Sequence, residues 1–384
     1  MKDSKGEIQM TISVPGRTEL AGNHTDHQGG HVLAAAVDLL VQGNVEPEIE
    51  DRVTLISDGY GRIEVEIRNL DRNFSKPGTA EALVRGVLDY LKKEGYPVHG
   101  FHGAMHSDIP AGAGLSSSAA FSVWIGKAEL SLSRNEEISP MTLALAARYA
   151  ENVHFGKPCG LMDQCACAYS GITAMSFQEE RPAVHRIDVD PDELGYVLYV
   201  VQTGGDHRDL TEDYAQITRE MGKVAEFFGA ERLCEISAQD IFASIPELRK
   251  MAGDRAVLRA LHYVEEDKRA QKMARALEMR DMDTYLAYMD ESGRSSAELL
   301  QNSFSPSDPQ KQGISLALAI SRKVLGKDGA ARVHGGGFAG TIQAIMPPEF
   351  ENNYCSELEA VFGPGCCRRL RIWDSSSAEM SAAF

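Results

Sequence analysis

The stretch Ile109-Pro-Ala-Gly-Ala-Gly-Leu-Ser-Ser-Ser-Ala-Ala-Phe121 constrains this chain more than any other. It follows a segment, Phe101 to Ser107, that reads as a strand, and it leads into Ala119, Ala120, Phe121, Val123, Trp124 and Ile125, which read as a helix. Pro110 cannot continue a strand ladder, and Gly112 and Gly114 free the backbone for positive φ. Ser116, Ser117 and Ser118 are helix-capping residue types at the point where the helix should begin. Free N–H groups, the positive end of a helix dipole and three hydroxyls then converge on one spot, which is a phosphate site on physical grounds. A well-capped strand–helix turn without a ligand is the alternative reading.

Two other kinds of phosphate loop are excluded. No Gly-x-x-x-x-Gly-Lys-Ser/Thr occurs, so the chain is not a Walker-type NTPase. Gly335, Gly337 and Gly340 do have Gly-x-Gly-x-x-Gly spacing, but Thr341-Ile-Gln-Ala-Ile-Met346 after them reads as a strand, where a dinucleotide fold needs a helix. Only 44 residues follow Gly340, too few for that fold to continue.

A chain of 384 residues exceeds the size at which one core usually keeps growing, so two domains are expected. Lys plus Arg number 39 and Asp plus Glu 56, a net charge of −17 that argues against nucleic acid or an anionic membrane as main partner. An anionic ligand must therefore be held by local features: a helix N-terminus, a divalent cation and a few placed cations. Seven cysteines follow no secreted framework, and no signal peptide or membrane span is found. A cytoplasmic protein with reduced thiols and no obligate protein partner is the expectation.

Along the chain, Ile8, Met10, Ile12 and Val14 alternate with polar residues as a half-buried strand does, ending at Pro15-Gly16. Arg17 to Gly30 is crowded with hydrogen-bonding groups beside the small apolar run Val32 to Val37, which is costly unless those groups have partners or a ligand. Leu83, Val87, Leu88 and Leu91 form one helix face, and a further helix is expected across Met141 to Asn152. Phe155 to Gln164 turns at Gly156, Pro158 and Gly160 just before Asp163. Strands are expected at Ile172–Phe177, Val184–Ile187, Tyr196–Val201, Ala331–His334, Thr341–Met346 and Arg369–Trp373. A helical block from Leu210 to about Leu325 buries Met273, Leu277, Tyr285 and Tyr288, and a last helix covers Glu349 to Val361. The domain boundary falls near residue 190, giving domains 1–190 and 191–384. His24, Asp26, His27 and His31 are metal-ligand types, but their crowding before Gly29-Gly30 offers no convergent geometry; Cys159, Cys165 and Cys167 lack a second pair at zinc-ribbon spacing.

Four stretches together resemble a known family. Pro15-Gly-Arg-Thr-Glu-Leu-Ala-Gly-Asn-His-Thr-Asp-His-Gln-Gly-Gly30 is similar to the galactokinase signature. Gly112 to Ala120 is similar to the phosphate motif of the galactokinase, homoserine, mevalonate and phosphomevalonate (GHMP) kinase superfamily, and Arg332 to Gly340 to its third, glycine-rich motif. Cys159-Gly-Leu-Met-Asp-Gln164 is similar to the segment with the family's catalytic Asp. The resemblance implies an α/β protein of α+β type, with a ribosomal-S5-like N-terminal domain, a ferredoxin-like C-terminal domain and ATP and sugar in the cleft between them. It implies Asp163 as the catalytic carboxylate and Arg17 as the cation beside it. Ser118 and Glu151, twelve residues before Asp163, are implied as Mg²⁺ ligands. Arg17, Asn23, His24, Asp26, Gly160, Asp163 and Tyr214, seven residues after His207, are implied around the sugar. Gly112, Ala113, Gly114, Leu115, Ser116, Ser117 and Ser118, with Gly335, Gly336 and Gly337, are implied on the nucleotide side.

Three departures stand out. Asn23 replaces the usual Glu, the tryptophan common in the helix before the phosphate loop is missing from Thr79 to Val87, and Ala215-Gln-Ile217 replaces an Arg pair. Asn23 is either a silent change still contacting the C6 hydroxyl or a device admitting a C6 carboxylate. Asp163 is either a true base or an electrostatic anchor that orients the hydroxyl. Three functions compete: a galactokinase, a 1-kinase for galacturonate or N-acetylgalactosamine, and a galactose-responsive sensor without transfer activity. The sensor known from the family has a loop shortened after its serines; here Ser118, Ala119 and Ala120 are all present.

Overall fold

The computed structural model describes residues 10–58, 61–110, 114–132, 139–204, 211–338 and 340–374. The alternation at Ile12 and Val14 opens strand β1 (Met10–Ala21), which does not stop at Pro15-Gly16 as the proline predicts. Its register against β2 (His31–Pro47) shifts between Pro15 and Gly16, and the strand carries on to Ala21. A proline at a bulge removes no ladder bond, so β1 survives it.

The 17-residue β2 organises the first sheet. It pairs antiparallel with β1 along most of its length, and also with β5 (Phe101–Ser107) and β6 (Ile172–Ser176) through its two halves. The order β4-β3-β5-β2-β6-β7 is completed by β3 (Arg52–Ser57), β4 (Gly61–Glu66) and β7 (Ala183–Ile187); among its described pairs only β3 with β5 is parallel. Ala34, Ala35 and Ala36 leave almost no side chain on the middle of β2, and all three are fully buried. Helices α1 (Ala80–Lys93), α2 (Ser117–Leu132), α3 (Pro140–Tyr149) and α4 (Met162–Tyr169) pack against this sheet or one another. The expected face of α1, Leu83, Val87, Leu88 and Leu91, is buried, and Trp124 of α2 donates its indole N–H to the Ile12 carbonyl at 3.1 Å.

The second sheet is antiparallel in the order β11-β8-β10-β9, from β8 (Val197–Gln202), β9 (Ala330–Val333), β10 (Thr341–Met346) and β11 (Cys367–Leu370). With a helical block after β8 and one helix after β10, this is the ferredoxin-like arrangement. The block runs through α5 (Thr211–Phe227), α6 (Ala238–Ala243), α7 (Ile245–Ala252), α8 (Asp254–Glu278), α9 (Met282–Ser295) and α10 (Gly313–Leu325), and α11 (Glu351–Phe362) precedes β11. Met273, Leu277 and Tyr285 are buried as expected, while Tyr288 is half-buried. No helix among the described residues is long and apolar enough to cross a membrane.

Candidate active site

The bulge in β1 delivers Arg17 to the phosphate loop. A Cβ on Gly16 would lie 2.8 Å from the Leu115 carbonyl oxygen, so only glycine lets the strand approach this closely. The Arg17 N–H donates to that same carbonyl at 3.2 Å. Its guanidinium donates from Nε to Asp163 Oδ1 at 2.8 Å and from Nη1 to the Gly114 carbonyl. Asp163 sits in the first turn of α4, where the helix dipole favours negative charge. Burial works to raise its pKa, but the Arg17 guanidinium, the Ser116 hydroxyl and the Lys157 ammonium outweigh it and hold the carboxyl at about 2.

Ser116 departs from its expected role. The helix begins at Ser117, while Ser116 takes a left-handed backbone, φ 58°, and donates its hydroxyl to Asp163 Oδ2 at 2.5 Å. Asp163 is thus held on both oxygens. Around this pair lies a cavity of ≈ 200 Å³ lined by Arg17, Pro110, Gly114, Leu115, Ser116, Ser117, Ser118, Lys157 and Asp163. Gly112 and Ala113 lie outside the described residues.

After α3 the chain makes one π-helical turn, Ala150–Phe155, that turns Glu151 inward. Glu151 is 2% exposed, and its Oε1 has no hydrogen-bond partner. Its Oε2 lies 3.9 Å from Lys157 Nζ. A buried carboxylate oxygen without a donor is costly unless a cation arrives, so Glu151 fits a divalent ion.

The sugar signature forms a tight turn, Asp26–Gln28, after β1. Asp26 Oδ2 lies where a Cβ on residue 160 would come within 2.2 Å, so Gly160 is the residue that admits it. Burial, reinforced by the negative charge of Asp163, pushes the Asp26 carboxyl up to about 6. Burial pulls His24 down to about 4, leaving a neutral ring. Because the Gly336 carbonyl can only accept, His24 Nε2 is the protonated nitrogen of that 3.0 Å bond and Nδ1 is the acceptor. His27, which the signature offers only as a metal-ligand type, packs its ring 5.7 Å from that of His24. Its buried Nε2 has no partner, and burial lowers its pKa to about 3. Arg17, Asp26, Gly160 and Asp163 are thus linked through direct contacts or mutual charge effects, while His24 is tied to Gly336 and packs on His27.

Asn23 and the glycine-rich motif are joined by a hydrogen bond. Asn23 is 0% exposed. Its Nδ2 donates to Glu19 Oε1 at 3.1 Å and to the Gly335 carbonyl at 2.7 Å, and its Oδ1 accepts from Asn302 Nδ2 at 2.8 Å. The amide is fully used inside the protein. The carbonyls of Gly335, Gly336 and Gly337 accept from Asn23, His24 and Tyr214 respectively, so the motif is tied to the sugar signature. Tyr214 packs its ring 5.5 Å from that of Phe338, and its hydroxyl is 3.1 Å from the Gly337 carbonyl. His31 Nδ1 lies 2.9 Å from Asp267 Oδ1, and no cluster of three metal-ligating side chains forms among the described residues. Lys157 carries no motif weight; its signal in the sequence is a lysine between Gly156 and Pro158, just before the Asp163 segment.

Residues 3–43 match the galactokinase galactose-binding signature, and residues 82–171 match the GHMP kinases N terminal domain. The galactokinase of Glaesserella parasuis is 30% identical over 351 residues, spanning 89% of this chain and 86% of that relative. The chain belongs to the galactokinase family. The galactokinase of Pyrococcus furiosus is 32% identical over 273 residues, 71% of each chain. Among solved structures, Lactococcus lactis galactokinase complexed with galactose aligns with a TM-score of 0.80 at 20% identity, covering 95% of this chain and 93% of that one. Methanococcus jannaschii mevalonate kinase aligns with a TM-score of 0.66 at 18% identity, covering 96% and 99%. At those identities the likeness is one of fold, and it is the two-domain fold that the four motifs imply.

Proposed function

We propose that the chain transfers the γ-phosphoryl group of ATP to the anomeric C1 hydroxyl of D-galactose, giving galactose 1-phosphate and ADP. The observation that carries this reading is the Arg17–Asp163–Ser116 unit, which joins the floor of the phosphate-loop cavity to the sugar signature. In the reaction the C1 oxygen bonds to the γ-phosphorus, the bond to the β,γ-bridging oxygen breaks, and the hydroxyl proton leaves. Such transfers run through a loose transition state, so placement and charge neutralisation outweigh covalent chemistry. Asp163, ionised at neutral pH, orients the C1 hydroxyl by accepting its hydrogen bond. A carboxylate held at about 2 is a weak base, so it takes the proton late, once phosphorus–oxygen bonding has acidified it. Arg17 places fixed positive charge beside the reacting atoms. His24 and Asp26 offer acceptors to sugar hydroxyls, with Gly160 opening the space.

Ser118 and Glu151 are the residues that would hold Mg²⁺, which supplies charge neutralisation on the phosphates when bound. Residues 1–190 and 191–384 are taken as the two lobes, with the connection between β7 and β8 as the boundary. All seven cysteines are free thiols, which suits a reducing, cytoplasmic setting. The Asn23 amide is bonded to Glu19, Gly335 and Asn302, which speaks against the reading that it admits a C6 carboxylate.

The test is ATP consumption against a panel of sugars, with parent and Asp163→Asn side by side. The variant keeps the shape but removes the charge and the proton acceptor, so kcat should fall by about 10²–10⁴-fold while galactose still binds. A near-parent kcat, or a parent that ignores galactose, overturns the reading.

A further inference from the structure

Two cationic side chains line the phosphate-loop cavity among the described residues, and they are used differently. Arg17 has Nε on Asp163 and Nη1 on the Gly114 carbonyl, and its side chain is only 7% exposed. Lys157 is 55% exposed, and its Nζ stands 3.9 Å from Glu151 Oε2, an ion-pair distance too long for a hydrogen bond. Among the described residues no acceptor lies within hydrogen-bond distance of its three donors, at the rim of a cavity suited to phosphate.

This lysine is placed by the backbone. Gly156 closes the π-helical turn in the left-handed region, φ 84°, reversing the chain at its end. The Lys157 N–H then donates to the Glu151 carbonyl at 3.0 Å, fixing its main chain to that of the acid. Pro158 follows and restricts Lys157 to extended conformations. The same turn thus carries an inward carboxylate and, six residues on, an ammonium over the loop.

We propose that Lys157 is a catalytic residue whose ammonium contacts the γ-phosphoryl group of bound ATP. The inference rests on the ATP-dependent reading given above and adds a residue that none of the four motifs names. Glu151 Oε1 has no hydrogen-bond partner, and the Cys159 thiol and the Lys157 ammonium lie beside the carboxylate. Once a cation satisfies Glu151, the ammonium is released to the most negative group in the cavity. In a chain of net charge −17, a second placed cation matters because the overall field opposes the nucleotide. Contact to the γ-group strengthens as charge shifts during transfer, so Lys157 acts on both binding and rate.

The contrast between nucleotides tests this. Binding of a non-hydrolysable ATP analogue and of ADP, both with Mg²⁺, is measured by titration calorimetry for the parent, Lys157→Met and Lys157→Arg. A lost charge-assisted bond to the γ-group should weaken the ATP analogue by about 10- to 100-fold in Lys157→Met, with ADP changed less than about twofold. Lys157→Arg should recover most of the loss, KM for ATP should rise in Lys157→Met, and galactose binding should stay put. Equal weakening of the two nucleotides, or none, overturns the proposal, as does a change confined to Mg²⁺ dependence, which would mean that Lys157 merely serves Glu151. The ATP-against-ADP contrast reads out even if the parent ignores galactose, so the two readings fail separately.

Discussion

Asn23 donates from one amide nitrogen to two acceptors, Glu19 Oε1 and the Gly335 carbonyl, in a place without solvent. A carboxylate there would have no proton to give either acceptor and would face the Glu19 carboxylate directly. Asn23→Glu should therefore lower stability by about 2–5 kcal/mol without redirecting sugar choice, as buried unpaired charges do. Urea unfolding measures the loss; a variant as stable as the parent that favours galactose over galacturonate would return Asn23 to the sugar site. Asp26 invites a pH experiment. Its folded pKa of about 6 lies above the ordinary carboxylate value of 3.8, so its ionisation counts against the ligand-free fold as pH rises through that window. A sugar hydroxyl donating to the carboxylate relieves that burden. Galactose should bind more tightly above pH 6 than below it and release a proton on binding near pH 6. Calorimetry in buffers of different ionisation enthalpy measures the proton, and Asp26→Asn should abolish it; a release that persists in that variant assigns the titration elsewhere.

At the scale of elements, the contact of β1 with the phosphate loop is decisive, and a methyl group is enough to disturb it. Gly16→Ala would bring its Cβ to 2.8 Å from the Leu115 carbonyl, with Ile109 Cδ1 at 3.1 Å, so the loop must move. Overpacking of this kind typically costs about 1–3 kcal/mol, and here the displaced group is the phosphate cradle. KM for ATP should rise more than KM for galactose; the reverse order would place the strain on the sugar side. Helix α1 and strands β5 to β8 are legible in the sequence because periodicity and turn residues state them. The passage of β1 through Pro15 is not, since only the partner strand reveals that a bulge absorbs it. Strands β3 and β4 carry the same alternation, Val53 with Leu55 and Ile63 with Val65, but their short length and outward Arg and Glu residues mask it. The loop motifs name Arg17, Asp163 and Glu151 because their chemistry needs those residue types. They do not tell which way Asn23 or Ser116 turns, which depends on neighbours more than forty residues away such as Asp163 and Asn302. On α8, Arg259, His262, Glu266 and Arg269 form a polar stripe at helical spacing, a pattern that ordinarily marks a solvent face; all four are buried.

That stripe joins the halves of the molecule. Leu198 and Val200 of β8, Ile345 of β10 and Leu370 of β11 belong to the same apolar core as Leu33, Ala34 and Val37 of β2, so the two sheets share one interior. Across it, Arg332 of β9 donates from Nη2 to Glu19 Oε1 of β1 at 2.7 Å, with Glu266 Oε1 of α8 at 3.9 Å. Glu266 Oε1 in turn accepts the N–H groups of Gly22 and Asn23 at 3.2 and 3.3 Å and the Ser292 hydroxyl at 2.6 Å, holding the start of the sugar signature. Burial pushes the Glu19 carboxyl up against the pull of Arg332, whereas Glu266, despite burial, is held at about 2 by His262, Arg332 and Arg269. Arg332→Met would leave both carboxylates short of positive charge, and breaking a buried pair in this way costs about 3–5 kcal/mol. The folded-state pKa of Glu19 then rises further above its unfolded value, so its contribution is least unfavourable at low pH and worsens as pH rises through the folded value. The stability deficit of Arg332→Met against the parent should therefore be smaller at pH 5 than at pH 8. Adding Glu19→Gln should recover part of it at pH 8 and little at pH 5. Because one core spans both sheets, loss should appear as a shift of a single urea transition. A deficit that is independent of pH and untouched by Glu19→Gln would show that Arg332 supports the fold by packing alone, and a split into two transitions would show that the lobes unfold independently.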